Sequence, residues 1–459
     1  MDANEINKRW EVLLSGQTIR ERSPISPFDG RTPFENDYSR LISSSFIRRL
    51  QDKTQVFPLS DSDFIRTRLT HSLEVSSIAR SIGKSVEKKL IKEGLMSSEL
   101  DGYLSSLLMT TGLIHDLGNP PFGHFGEHSI QKFFQENPEH LKDFNQQEVR
   151  DLTFFDGNVQ TLRILLKLHY LGDEYSYNLT LPTLATIIKY PRNSIDGNRD
   201  KKQTRISEKK FGYFITEQSL YYDIDSRLQL NGERHPATFL LEASDDIAYS
   251  AADIEDGVKL GIIDFEFIRT TFVKRLSDKH EVITELDKYY KIFENTGKDR
   301  LILTVQRFRI KTQFLLIQSI LNEFHNNLQS ILNGQYKDEL LLKCDQMEIR
   351  ESYKEIAYEV FRSPIILEPE MAGNEVLNCL LKAFVTAAKS PEFKKTGNNT
   401  NSRLYNLIAS NYRFVYENYS HKSNSNDAYN RIQLILDFLS SMTDGYALSL
   451  YQKLKGINL

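Results

Sequence analysis

Between Leu113 and His128 the chain reads LIHDLGNPPFGHFGEH, and no other stretch restricts its folding as tightly. Sixteen positions hold three histidines, an aspartate and a glutamate, beside three glycines and two prolines. The apolar residues Leu104, Leu107, Leu108, Leu113 and Ile114 precede it at helical spacing, which predicts a helix ending at His115 and Asp116. Gly118 and Pro120 stop that helix, one by conformational freedom and the other by its missing N–H. An imidazole and a carboxylate at a buried helix end lose hydration at a cost unless something pairs with them. A metal ion is a natural partner.

The periodicity around this stretch predicts a mostly α chain. A long amphipathic helix covers residues 66–92, with Leu69, Leu73, Val75, Ile78, Ala79, Ile82, Val86 and Leu90 on its apolar face. Further helices are expected over 103–117, 147–171, 181–189, 236–258, 338–361, 376–388 and 428–455, with two or three more within 265–335. Residues 1–35 are polar, carry Pro24, Pro27 and Pro33, and read as an extended arm used in subunit contacts. Residues 56–63 read as an irregular or hairpin connection. Residues 192–210, rich in Asn, Asp, Lys and Arg, read as a mobile basic loop.

Composition limits the function classes. A net charge of −4 over 459 residues excludes a surface that is basic throughout, so any anion site must be local. Cys344 and Cys379 are too few for a disulfide framework or a cysteine metal knuckle, which points to a reducing cytoplasm. The first residues lack a signal-peptide pattern, and no apolar run approaches the roughly 20 residues that span a bilayer. The expectation is a soluble cytoplasmic protein without a membrane partner.

Four side chains suit one metal site: His71 on the long helix, His115 and Asp116 at the end of the next, and Asp245 on an Ala-rich helix. Two imidazoles with two carboxylates fit Mn²⁺, Fe²⁺, Mg²⁺ or Zn²⁺. Taken singly, each residue reads as readily as a satisfied core histidine or a capping aspartate. Arg68 lies three residues before His71 on the same helix face, and a guanidinium there can grip phosphate oxygens by two parallel bonds. His124 and Glu127 stand one helical turn apart. Tyr249 and Asp253 follow Asp245 at successive intervals of four, so the three share a face.

The order His71, His115–Asp116, Asp245 resembles the HD-domain metal hydrolases. The surrounding words resemble one branch, the deoxyguanosine triphosphate triphosphohydrolases. They are FIRRLQDKTQVF (46–57), RTRLTHSLEV (66–75), HDLGNPPFGHFGE (115–127), FDGNVQ (155–160), KYP (189–191), KKFGYF (209–214), EASDDIAYSAADIEDG (242–257) and MTDGYALSLYQKL (442–454). They run in family order over almost the whole chain.

The resemblance implies an HD-domain helical fold with additional helices. An HD catalytic core would span 36–260, with the basic loop 192–210 inserted. A helical region over 261–459 would complete the nucleotide pocket and the subunit contacts. It implies hydrolysis of dGTP, or of other dNTPs, to deoxynucleoside and inorganic triphosphate, with Mn²⁺ or Mg²⁺ on His71, His115, Asp116 and Asp245. His124 and Glu127 become the acid–base pair, although a carboxylate at Glu127 also suits a helix start. Arg68, Lys189, Tyr190, Lys210 and Tyr249 become phosphate contacts, and Gln55 and Asp253 sugar 3′-hydroxyl contacts that would exclude ribose. For Lys189 and Lys210 the plainer reading is a solvated basic surface. Asp246 and Asn158 would support metal and phosphates from behind. Asn119 stands near the α-phosphate where some relatives carry histidine, and Gly445 where arginine is commoner. The base pocket falls within 265–430 without assignable residues.

Relatives of this kind are commonly hexamers, so a homohexamer is expected. Two other readings stay open: an HD phosphohydrolase acting on a different nucleotide, and a nucleotide or single-stranded DNA binding protein with a vestigial site. The basic loop motivates the last, which makes single-stranded DNA a candidate modulator. Against it, the loop also carries Asp196, Asp200 and Glu208 and has no aromatic residue for stacking.

Overall fold

The protein is described from a computed structural model covering residues 1–21, 29–55, 66–169, 173–197 and 205–457. Among these residues the chain is all-α; Thr18–Thr180 and Thr54–Thr67 form isolated β-bridges and no strand develops. The helices that build and brace the site are α1 (Ala3–Leu13), α2 (Arg68–Lys92), α3 (Tyr103–Ile114), α4 (Gly123–Glu136), α5 (Gly157–Arg163), α6 (Pro236–Lys259), α7 (Arg300–Asn326), α8 (Met347–Phe361), α9 (Pro364–Ala388), α10 (Asp427–Ser440) and α11 (Asp444–Lys455).

The pair α2 and α3 forms the centre. Val75, Ala79, Ile82, Val86 and Leu90 of α2 are buried with Leu104, Leu107 and Leu108 of α3. The helices come close because small residues meet at two levels. A Cβ on Gly112 would lie 2.7 Å from Ser76 Cα, and one on Gly83 would lie 2.8 Å from Ser105 Cα. Leu73, expected on the buried face of α2, is 43% exposed. It lies to one side of the stripe set by Val75, Ala79 and Ile82. Helix α6 crosses α2 and α3, and α7 and α8 pack on its outer side.

Two expectations from the sequence are corrected. The first turns of the expected arm are a helix, α1, opened by a capping box between Asp2 and Glu5. Its Ile6, Trp10 and Leu13 are buried, and their spacing of four and three carried that signal. The helix expected over 147–171 breaks into three pieces: Gln146–Thr153, then α5, then a π-helical turn at Ile164–Leu168. The break has a local cause, because Asp156 leaves helical geometry to cap α5 and accepts from Asn158 N–H at 2.9 Å. Residues 56–63 lie outside the described residues, as does the centre of the basic loop, 198–204. Among the described residues no helix is long and apolar enough to cross a membrane.

Candidate active site

Helix α3 ends at Ile114, and His115 and Asp116 project from its end toward the N-terminal turn of α2 and the middle of α6. His115 Nδ1 donates to Gly112 O at 2.8 Å, which leaves Nε2 as the free nitrogen. That Nε2 is buried without a hydrogen-bond partner and lies 3.6 Å from Asp116 Oδ1 and 3.4 Å from Asp245 Oδ1. His71 Nε2 lies 3.0 Å from the same Asp245 oxygen. Donor atoms of His71, His115 and Asp116 fall within 4.8 Å of one another. Two nitrogens and two carboxylates thus converge, with one nitrogen that no group among the described residues satisfies. This donor set could hold a divalent cation. Burial alone would lower His115, but Asp116 and Asp245 raise it to about 9. Burial alone would raise Asp116, yet His115 and Arg68 hold it at about 2.

The loop after Asp116 is braced tightly. Asn119 Nδ2 donates to Asp116 Oδ1 at 2.6 Å, and Arg68 Nη1 donates to Asp116 Oδ2 at 2.6 Å. Arg68, read from the sequence as a phosphate contact, is therefore paired with the HD aspartate while still lining the cleft. Gly118 meets the start of α5 so closely that a Cβ would lie 2.2 Å from Gly157 O. The turn ends at Phe122, a left-handed residue with φ 62°, and α4 begins at Gly123.

His124 opens onto the cleft from the first turn of α4. Enclosure by the cleft walls and the Arg68 guanidinium hold its imidazolium below the usual range. Glu127 is buried one turn on. It accepts from Gly157 N–H at 3.2 Å and lies 3.6 Å from Lys210 Nζ, so it serves the start of α5 rather than of its own helix. Lys210 also pairs with Asp156.

The cleft has a volume of about 330 Å³. Of the residues singled out in the sequence, it is lined by Gln55, Arg68, His71, His115, Asp116, Asn119, His124, Asn158, Lys189, Tyr190, Lys210, Asp245, Asp246 and Tyr249. Gln55 Oε1 is buried there without a partner among the described residues. Asp253 is not on the lining; it lies one turn deeper, and the Tyr249 hydroxyl donates to it. Lys189 is no solvated surface lysine. Burial would lower it, but Glu242 at 3.1 Å keeps it above the usual range.

Sequence reasoning missed Arg350 and Lys354 of α8, Lys209, Glu242, and Glu339 with its two following leucines, all on the lining. Arg350 pairs with Asp246 and lies 3.3 Å from Glu339. A signal existed: Arg350 and Lys354 are one turn apart on a helix whose Ile349, Tyr353, Ile356 and Val360 are buried. Six cationic side chains (Arg68, Lys189, Lys209, Lys210, Arg350, Lys354) face five carboxylates (Asp116, Glu242, Asp245, Asp246, Glu339). Each cation other than Lys209 and Lys354 is paired with an acid in the protein, and a divalent cation would tip the balance toward a polyanion. In the basic loop, Arg192 bonds Pro191 O and Gly232 O, and Arg205 pairs with Glu233. Those two charges serve the fold.

The all-α architecture and the His, His-Asp, Asp cluster define an HD-domain phosphohydrolase. Residues 68–190 match the HD domain, and residues 347–453 match a phosphohydrolase-associated domain. Asp245 lies between the two matched segments. A deoxyguanosinetriphosphate triphosphohydrolase-like protein of Listeria monocytogenes is 38% identical, the match covering 98% of this chain and 100% of the relative. A similarly named protein of Synechocystis is 32% identical over 98% and 100%. The deoxyguanosinetriphosphate triphosphohydrolase of Cronobacter sakazakii is 32% identical over 92% and 94%. The chain belongs to the family of deoxyguanosinetriphosphate triphosphohydrolases and triphosphohydrolase-like proteins.

Proposed function

We propose that this phosphohydrolase converts dGTP, and more slowly other dNTPs, to the deoxynucleoside and inorganic triphosphate. The observation that carries the reading is the meeting of His71, His115, Asp116 and Asp245 at one end of a cation-rich cleft, with His115 Nε2 buried and unsatisfied. These four side chains would hold manganese or magnesium, which would supply Lewis-acid polarisation of the α-phosphate. Water attacks the α-phosphorus, the bond from phosphorus to the 5′ oxygen breaks, and the triphosphate leaves with the water oxygen. His124, in its protonated form, gives a proton to the departing 5′ oxygen, and the proton that the attacking water gives up passes through solvent to restore it. Glu127, one turn behind, orients the imidazole and supports its basicity. Arg68, Lys189, Lys210, Tyr190 and Asn119 receive the phosphates, joined by Arg350 and Lys354. Gln55 meets the sugar 3′ hydroxyl, and Asp253 contributes through the Tyr249 hydroxyl it holds.

The same reading makes the protein a cytoplasmic homohexamer. It assigns no DNA contact to Arg192 and Arg205, whose charges are used internally.

Incubation with each of the four dNTPs and with GTP, in Mn²⁺ or Mg²⁺, tests the proposal by separation of the products. Free triphosphate is expected, fastest from dGTP and slow from GTP. Release of pyrophosphate or orthophosphate instead would contradict it.

A further inference from the structure

The segment between Ile114 and Gly123 decides where His124 stands relative to His115 and Asp116, and the far end of the chain holds it. Asp444, the first residue of α11, is buried. One of its carboxylate oxygens accepts from Phe122 N–H at 3.0 Å. The other accepts from Thr54 N–H at 3.1 Å and from the Thr54 hydroxyl at 2.5 Å. Phe122 is left-handed, a conformation that a bulky residue keeps only where its surroundings impose it. Its ring lies against α9 at Gly373, where a Cβ would come within 2.6 Å of the ring.

Three residues upstream a second tie reaches the same loop. The Lys53 ammonium donates to Asn119 O at 2.5 Å and to Ser440 O, at the end of α10, at 2.7 Å. Burying an ammonium on backbone carbonyls carries a desolvation cost, and burial pushes Lys53 down to about 7. Lys53 O accepts from Arg68 N–H at 3.0 Å, which ties the start of α2 to the same strip. Gln55 follows directly on Thr54.

We propose that Lys53 and Asp444 are positioning residues that lock the 115–122 loop and Gln55 to the junction of α10 and α11. They thereby fix the separation of the His115–Asp116 pair from His124. Neither side chain lines the cleft, so they act through the groups they hold. The proposal rests on the reading of His124 as proton donor.

The test compares wild type with Asp444→Ala, Asp444→Asn, Lys53→Met and Thr54→Val. Asp444→Ala is expected to lower kcat by about 100-fold, the scale of an ångström-sized misplacement of a catalytic group, with a much smaller rise in KM through Gln55 and bound Mn²⁺ little changed. Amide exchange of residues 117–123 is expected to accelerate well below the melting temperature. Thr54→Val keeps the Phe122 bond and is expected to give an intermediate loss. Added to Asp444→Ala it should cost nothing more, because both remove one shared contact. Should Asp444→Ala not fold, Asp444→Asn and Lys53→Met carry the same comparison. Full kcat or unchanged loop exchange in folded variants would overturn the proposal, since a purely structural role moves the melting temperature alone. If wild type releases no triphosphate from any dNTP, the functional reading fails, and the exchange data still decide the clamp.

Discussion

His124 and His115 carry the same side chain and are expected to behave differently. His115→Ala removes a metal donor, so activity and bound Mn²⁺ should vanish together. His124→Ala should keep its metal and lose about 100- to 10,000-fold in kcat, the range for a lost general acid. Metal analysis beside steady-state kinetics checks both, and equal metal loss in the two variants would place His124 in the wrong role. Away from the cleft, Asp151 is fully buried, accepting from Ile215 N–H at 2.8 Å and from the Tyr429 hydroxyl at 3.0 Å. Burial raises its carboxyl from 3.8 to about 7. A group raised in the folded state holds its proton more tightly there, so its contribution is complete below about pH 4 and is lost as pH rises through about 7. Asp151→Asn should therefore melt like wild type in acid and several degrees higher at mildly alkaline pH. Thermal melts across that range read the difference. At this scale the convergence of His71, His115, Asp116 and Asp245 was legible, because their order along the chain, rather than any one of them, set them apart. Arg350 and Lys354 were legible only as neighbours one turn apart on a helix, not as part of the cleft. Their meaning depends on α8 packing against α6, which local periodicity does not encode.

Among the elements, the pairing of α2 with α3 matters most, because each carries part of the donor set. Gly112 is where the helices touch. In an isolated helix Gly→Ala would gain up to about 1 kcal/mol in propensity. Here the added Cβ would lie 2.7 Å from Ser76 Cα and 2.9 Å from Ser76 N. Backbone cannot rotate away, so Gly112→Ala should destabilise by about 1–3 kcal/mol, as overpacked cores do. It should also weaken Mn²⁺ binding by moving His71 from His115; calorimetry and metal titration measure the two effects. The long helices 66–92, 103–117 and 236–258 were legible to within a few residues, because unbroken periodicity of that length has few alternatives. The break at Asp156 was not. A run of Val159, Leu162 and Leu165 continues the helical pattern beyond it and masks the local Asp156 cap, and the meeting of Glu127 and Asn119 with Gly157 holds the turn in place.

The whole molecule assembles its cleft from residues 55 to 354, so distant parts of the chain brace the site. Helix α1 is one brace. Arg9 donates to Leu228 O and Gln229 O at 2.9 and 3.0 Å. Leu13 O accepts from His235 Nε2 at 2.9 Å, while His235 Nδ1 accepts from Ala237 N–H and caps α6, the helix that carries Asp245. Burial lowers His235 to about 4, so it is neutral and keeps this tautomer. Removing residues 1–14 should lower the melting temperature and reduce Mn²⁺ affinity, read by thermal melts and metal titration. Read from the sequence, those residues were an arm because their polar majority hid a three-residue apolar stripe. The proposed cut lies between the α-phosphorus and the 5′ oxygen. Turnover of dGTP in heavy-oxygen water with Mn²⁺, followed by mass spectrometry of both products, tests it. One heavy oxygen is expected in the released triphosphate and none in the deoxyguanosine. Label in the deoxyguanosine, or dGMP with pyrophosphate as the products, would contradict it.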